Sequence, residues 1–260
     1  MLSKQRHNMI VQMIRDLGSV QVKDLSVRFA VTPDSIRKDL SLLQEKGLLK
    51  KTYGGAIAIT DEDQERLVSQ RKGRYLADKQ RLARRALALL KDGDVIFLDI
   101  STANIELAKM LSTSGLALTV VTNMIEVMLV MTRDVHNKLI FLGGSFGGGR
   151  GGFVGAVTNQ QVAQYRFDFS FLGTVGVSLE RNEVMTDMDD DAATKALVIR
   201  QSRKAYLMLE SRKLSKEGAC VYATLADFTG AVMDKELPLE AQTWMEAYDL
   251  TVLTTGNLAD

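Results

Sequence analysis

Cysteine is almost missing from this chain. Cys220 is the only one in 260 residues, so no intrachain disulfide framework exists. Net charge is nearly missing too, at +1. Long apolar runs are lacking. The most apolar stretch, residues 116–131, is interrupted by Asn123 and Glu126 and reads as a strand then a helix, not a membrane span. Lys4, Arg6 and His7 near the start are not followed by the apolar run of a secretory signal. With the single cysteine, these absences predict a cytoplasmic protein with no membrane partner. The only histidines are His7 and His136, neither at the end of a predicted strand, and no metal or cofactor is expected. A hydrophobic content of 46% is enough for a large core and for more than one domain in a chain of this length.

The small net charge conceals a basic front. Residues 1–55 hold ten Lys and Arg against five Asp and Glu, 10 − 5 = +5, which leaves −4 for the rest. A basic front on a slightly acidic body points to a partner held at one end. The same stretch has helical patterning. Lys4 to Leu17 predicts a supporting helix. Val22 to Ala30 predicts a short one with Val22, Leu25 and Phe29 on one face. Thr32 then suits an N-cap, Pro33 a first helical position and Asp34 the positive end of a helix dipole. The second helix of this pair runs to about Lys46, where Gly47 stops it. Ile36, Leu40 and Leu43 form its inward stripe, and Ser35, Arg37, Lys38 and Ser41 are presented outward or on the flank. Two short helices joined by a tight turn are a means of placing one in the major groove.

Leu48 to Ile59 predicts two short strands around Gly54-Gly55, a wing lined by Lys50, Lys51 and Tyr53. Adjacent lysines beside an aromatic suit a phosphate backbone or minor-groove edge. The candidate DNA contacts are therefore Thr32, Ser35, Arg37, Lys38, Ser41, Lys50, Lys51 and Tyr53. Residues 32–40, with Leu43, residues 45–50 and Tyr53-Gly54-Gly55-Ala56, resemble the amino-terminal domain of the DeoR family of bacterial transcription regulators. Here Ser35, Lys38 and Tyr53 stand where that family has Thr, Arg and His.

Residues 60–66 are poor in apolar side chains and predict a connector, and residues 71–91 predict one long amphipathic helix. The expected organisation is a winged helix-turn-helix domain over 1–59, a linker over 60–75 and a sensing domain over 76–260. From Asp94 onward strands alternate with helices: residues 95–100, 118–122, 138–142, 167–172, 205–209 and 250–253 are the candidate strands. Such alternation predicts a mostly parallel sheet of α/β class. Ligands of such sheets sit beyond the carboxyl ends of the strands. Those ends carry Asp99, Ser101, Thr102 and Asn104, then Thr122 and Asn123, then Gly143 and Gly144, and finally Glu210, Ser211, Arg212 and Lys213. A helix start with hydroxyls suits a phosphate, and Arg212 and Lys213 add positive charge. The glycine-rich run 143–152 lacks the spacing of a P-loop and reads as a hairpin or loop. Lys195, opening a helix near the acids 187–191, is either a member of the sheet-end site or a surface lysine beside acids, and reads as the latter.

The resemblance continues in Leu98-Asp99, Ser101-Thr102, Val121-Thr122-Asn123, Leu142-Gly143-Gly144 and Phe171-Leu172-Gly173, which look like the DeoR-type sensor domain. That domain is similar in fold to ribose-5-phosphate isomerases and in the family generally binds phosphorylated sugars or related metabolites. The family usually has Gly-Thr-Thr at Ser101-Thr102-Ala103 and Asp-Ser-Ser-Lys at Glu210-Ser211-Arg212-Lys213. The resemblance implies a regulator, most often a repressor, with a duplex operator, a small phosphorylated effector and a homo-oligomer, dimer or tetramer, that reads symmetric half-sites. Two alternatives stand beside it: a sugar-phosphate isomerase-like enzyme, whose Asp-Gly-Ala-Asp-Glu and Lys-Gly-Gly motifs are absent here, and an architectural DNA binder with an inert sensor.

Overall fold

The computed structural model describes residues 3–45, 48–57, 71, 73–134, 136–146 and 151–254, apart from the side chains of Lys4, Arg15 and Glu45. The chain divides into two compact units, Met1–Arg71 and Lys72–Asp260.

The first unit is built from helix α1 (Ser3–Leu17), strand β1 (Ser19–Gln21), helices α2 (Val22–Phe29) and α3 (Pro33–Glu45), and strands β2 (Lys50–Thr52) and β3 (Gly55–Ile57). Ile10 and Ile14 of α1, Leu25 of α2, and Ile36, Leu40 and Leu43 of α3 close one small core with Val20, Leu49 and Ala56. Ala30 ends α2 in a left-handed conformation (φ 51°), and Ser26 Oγ donates to the Val31 carbonyl at 2.7 Å. This fixes the turn into α3. The Ser35 amide donates to Thr32 Oγ1 at 3.2 Å, so Thr32 caps α3 with Pro33 as its first residue. The wing has one more strand than predicted. β3 lies between β1 and β2 in an antiparallel sheet. A Cβ on Gly55 would collide with the Val20 carbonyl oxygen, so glycine is what lets β3 approach β1. The predicted helix end at Lys46-Gly47 lies outside the described residues.

The second unit opens with helix α4 (Leu76–Leu87). The single long helix predicted over 71–91 is not formed. Gly73 to Tyr75 make a bend and turn, and Tyr75 is left-handed at φ 54°, a geometry no α-helix continues through. Then come β4 (Val95–Leu98), α5 (Thr102–Leu111), β5 (Thr119–Thr122), α6 (Ile125–Met131), β6 (Lys138–Phe141), β7 (Ser145–Phe146), β8 (Phe153–Val154), α7 (Ala156–Val162), β9 (Phe167–Gly173), β10 (Gly176–Ser178), β11 (Glu183–Thr186), α8 (Asp189–Gln201), β12 (Ser202–Leu209), β13 (Cys220–Ala223), β14 (Gly230–Met233), α9 (Leu239–Ala247) and β15 (Thr251–Leu253). The main sheet has seven strands in the order β15-β14-β12-β9-β4-β5-β6. Every neighbouring pair is parallel. Ile96, Phe97 and Leu98 are all buried. Successive side chains alternate faces, so the sheet is covered on both.

The predicted six strands are all present, and β14 is the seventh. A second, antiparallel sheet of β10, β11 and β13 was not predicted, whereas the antiparallel β7–β8 pair fits the hairpin reading of the glycine-rich run. The β7–β8 pair flanks the glycine-rich run, whose residues 147–150 lie outside the described residues, as do 58–70, which hold most of the predicted linker.

Candidate DNA-binding and effector sites

On α3, Arg37 and Lys38 are exposed, and Ser35 and Ser41 are half-buried. A shallow depression is lined by Arg37, Lys38, Ser41 and Leu42. Arg37 Nη1 pairs with Asp34 Oδ1 one turn earlier, with both side chains exposed. Ser41 Oγ donates back to the Arg37 carbonyl at 2.9 Å and accepts from Lys51 Nζ at 2.8 Å. The Lys51 amide donates to Gln44 Oε1 at 2.9 Å. The wing strand β2 is therefore bonded to α3 through backbone and side chain. Lys50 and Lys51 are exposed along it, and Tyr53 is fully exposed at the wing turn. Thr32 serves its helix: besides capping, its hydroxyl lies 3.0 Å from Ser35 Oγ.

The orientation of α3 rests on a residue that sequence reasoning had not singled out as functional. Asp39 is buried at 8% exposure. Its Oδ2 accepts from Arg6 Nε at 2.6 Å and its Oδ1 from Arg6 Nη2 at 3.1 Å, and His7 Nε2 lies 2.8 Å from the same Oδ1. Burial pushes the Asp39 carboxyl up, but hydrogen bonds and charge from Arg6 and His7 outweigh it and hold the carboxyl below its usual range. The sequence signal was present: an acid next to the inward Leu40, with Arg6 and His7 on α1.

At the carboxyl end of the parallel sheet, β4 and β9 converge on Asp99. This carboxylate is buried at 2% exposure. Its Oδ1 accepts from Asn104 Nδ2 at 2.8 Å, and its Oδ2 accepts from the Gly173 amide at 2.8 Å. Oδ2 also takes the ammonium of Lys195. Lys195 is buried at 3% exposure, lies 3.8 Å from Asp191, and sits 5.7 Å from the centre of the Tyr222 ring. The expectation of a surface lysine is thus corrected. In α8, Asp191 and Lys195 share one face at i and i+4, and that face packs inward. Thr186 Oγ1 donates to Asp191 Oδ2 at 2.6 Å, and Tyr222 donates to the Gly173 carbonyl at 3.0 Å. Burial, with Asp99 and Asp191 nearby, pushes the Tyr222 hydroxyl well above its ordinary value, so it remains a donor.

Ser101 caps α5, accepting from the Asn104 amide at 3.4 Å. It lies so close to Gly173 that a Cβ there would collide with its own. Thr102, Asn104, Thr122 and Asn123 are buried as well. Thr122 Oγ1 donates to the Leu98 carbonyl at 2.7 Å and accepts from the Met124 amide at 3.1 Å, so its hydroxyl serves the turn. Asn123 Nδ2 donates to the Phe153 carbonyl at 2.8 Å. The amides of Asn104 and Asn123 have fixed senses because their nitrogens are committed. Their side-chain oxygens are buried with no hydrogen-bond partner among the described residues. Gly143 and Gly144 engage α7 instead: the Gly143 carbonyl accepts from Thr158 and Gln161 at 2.9 and 3.0 Å.

After β12 comes a second charged group. Glu210, buried at 2% exposure, accepts from Arg212 Nε at 3.0 Å and pairs with Lys213 Nζ at 3.3 Å. Burial raises its pKa, but Lys213, Arg212 and Lys79 outweigh that and bring it below the usual range. Lys213 Nζ also donates to the Thr174 carbonyl at 2.7 Å, next to Gly173. Ser211 is held by Asp234, whose carboxylate accepts from its amide at 2.6 Å and lies 3.2 Å from its hydroxyl. Among the described residues no cluster of His, Cys, Asp and Glu suits a metal, and no helix is long and apolar enough to cross a membrane.

Residues 6–62 match the DeoR-like helix-turn-helix domain, and residues 75–235 match the DeoR C terminal sensor domain. The chain belongs to the DeoR family of transcription regulators. Over 236 residues it is 30% identical to the uncharacterized HTH-type transcriptional regulator FruR of Bacillus subtilis, covering 91% of this chain and 93% of that one. It is 29% identical to the lactose phosphotransferase system repressor of Staphylococcus epidermidis, over 92% of this chain and 94% of that one. It is also 29% identical to the glycerol-3-phosphate regulon repressor of Escherichia coli, over 83% and 84%. Among solved structures it is similar to ribose 5-phosphate isomerase A from Methanocaldococcus jannaschii, at TM-score 0.39 and 20% identity, with 54% of each chain covered. The chain thus spans little more than half the length of that isomerase. As a DeoR-family regulator it pairs a DNA-binding module with a small-effector sensor, and the isomerase-like enzyme alternative falls away with the family assignment.

Proposed function

We propose that this DeoR-family protein is a repressor of a carbohydrate or related metabolic operon, released from its operator by a small phosphorylated metabolite. It acts in the cytoplasm as a homo-oligomer, with each protomer of a symmetric pair reading one half-site. Arg37 and Lys38 take base edges in the major groove. Thr32, Ser35, Ser41, Lys50, Lys51 and Tyr53 hold phosphates and the groove edge. The observation that carries this reading is the exposed Arg37–Lys38 face joined to a lysine-bearing wing by the Lys51–Ser41 bond.

The effector lies at the carboxyl edge of the sheet. The first turn of α5, with Ser101 and Thr102, receives the anionic group, since free amides at a helix start favour negative charge. The unpartnered oxygens of Asn104 and Asn123 accept from hydroxyls of the ligand, which a polyhydroxylated metabolite supplies. Arg212 and Lys213 add charge from the β12 side. The names of the lactose and glycerol-3-phosphate repressors support this ligand class. Release follows only if the ligand binds the weakly operator-bound state more tightly than the other.

The test is to enrich operators from random duplex DNA with the full-length protein. The winning fragment is then titrated with glycerol 3-phosphate and with hexose monophosphates and pentose 5-phosphates. A palindromic consensus released by at least one phosphate is expected. Enrichment of no sequence contradicts the reading.

A further inference from the structure

Tyr75 begins the sensor unit in a backbone geometry that its residue type avoids. At φ 54° and ψ 41° it is left-handed, a state non-glycine residues hold mainly where surrounding contacts impose it. The Tyr75 ring is stacked by Arg212. Its guanidinium carbon lies 4.0 Å from the centre of the Tyr75 ring, and Arg74 approaches the same ring at 5.6 Å. Arg212 is itself held: Nε donates to the buried Glu210 at 3.0 Å, and its side chain is only 25% exposed. Further bonds tie the same two segments. Arg81 Nε donates to the Asp234 carbonyl at 2.9 Å, while the Asp234 carboxylate holds the Ser211 amide at 2.6 Å. Lys79 Nζ donates to the Arg74 carbonyl at 2.6 Å and adds its charge to that around Glu210. Residues 210–213 and the start of α4 therefore form one network.

Its place in the chain gives the network a consequence. The sensor unit starts at Lys72, three residues before Tyr75, so a change in the Tyr75 backbone acts on the chain that enters this unit.

We propose that the Arg212–Tyr75 stack is a latch that couples occupancy of the Glu210–Lys213 loop to the chain entering the sensor unit, the latched form being the one that binds operator. This inference rests on the reading of the protein as an effector-released repressor. An anionic ligand at the loop draws the guanidinium off the ring, because an oxyanion is a stronger partner for arginine than a ring face. Tyr75 then loses the contact that holds it left-handed and relaxes.

The experiment uses the full-length protein, without ligand, on an operator enriched by the wild type. Arg212→Lys keeps a positive charge beside Glu210 and removes the planar stack. Tyr75→Ala removes the ring, and Tyr75→Phe keeps it. Arg212→Lys and Tyr75→Ala are each expected to weaken operator binding about fivefold. Tyr75→Phe is expected to match the wild type, and the Arg212→Lys/Tyr75→Ala double variant to be no weaker than either single. Amide exchange over residues 76–81 rises in the two weakened variants and not in Tyr75→Phe. Wild-type operator affinity in Arg212→Lys and Tyr75→Ala overturns the latch and leaves the repressor reading intact, as do losses that multiply in the double variant. Failure of the wild type to enrich any duplex overturns both.

Discussion

Lys51 on the wing donates to Ser41 on α3 at 2.8 Å. A wing lysine and a residue of the reading helix thus share one bond, and the wing is oriented by α3 at the point where both face outward. Lys51→Ala removes this bond and one positive charge. Operator affinity is expected to fall, and the slope of log affinity against log salt to shrink by about one. Lys50→Ala, in the same strand, is expected to weaken binding to operator and to random duplex alike and to flatten the salt dependence in the same way. Fluorescence anisotropy at several salt concentrations checks both.

Asp39 ties α1 to α3 through Arg6 and His7. Its carboxyl is held below the usual range, so its contribution to folding is fully present above the unfolded carboxylate pKa of about 4. It is lost only as pH falls through the lower folded value. Asp39→Asn is expected to destabilise the amino-terminal unit by about 1–3 kcal/mol at neutral pH, where one charge-assisted partner set is lost. The difference from the wild type narrows at pH values below the folded pKa. Amide exchange of α1 measured across that range in the full-length protein shows whether it does.

Lys195 is buried against Asp99 and near Asp191. Removing one partner of such a pair leaves an uncompensated buried charge, which costs about 3–5 kcal/mol. Lys195→Met is expected to show that loss by chemical denaturation, and Lys195→Met with Asp99→Asn to recover much of it. A loss in the single variant within experimental error of zero means the pair is not closed in solution.

Gly55 carries the close approach of β3 to β1. Gly55→Ala forces the strands apart and is expected to weaken operator binding while the sensor unit keeps its thermal transition. Differential scanning calorimetry and anisotropy on one preparation separate the two effects.

Much of this architecture was legible in sequence because it is local. Ile36, Leu40 and Leu43 recur at helical spacing and are buried, and Thr32-Pro33 announces the start of α3. The six predicted strands are short runs of apolar residues with turn residues after them. What escaped was short or distant. β1 has three residues with only Val20 buried, too few to show a period. β14 is four residues buried throughout, beginning with glycine, and offers no alternation. The pairing of Lys195 with Asp99 joins residues 96 apart in the chain; nothing local to Lys195 distinguishes it from a surface lysine except the acid four residues earlier. The predicted helix from 71 begins only at Leu76, because Tyr75 is left-handed; residues 71–74, Arg-Lys-Gly-Arg, carry no apolar side chain that would hold a helix there.

The central claim is that α3 reads bases through Arg37, which in the free protein is paired with Asp34. The most direct test compares Arg37→Ala with the wild type on the enriched operator and on random duplex under the same salt. A loss of about 1–3 kcal/mol on the operator, with a much smaller loss on random duplex, is expected for a base contact. Unchanged operator affinity in Arg37→Ala contradicts it.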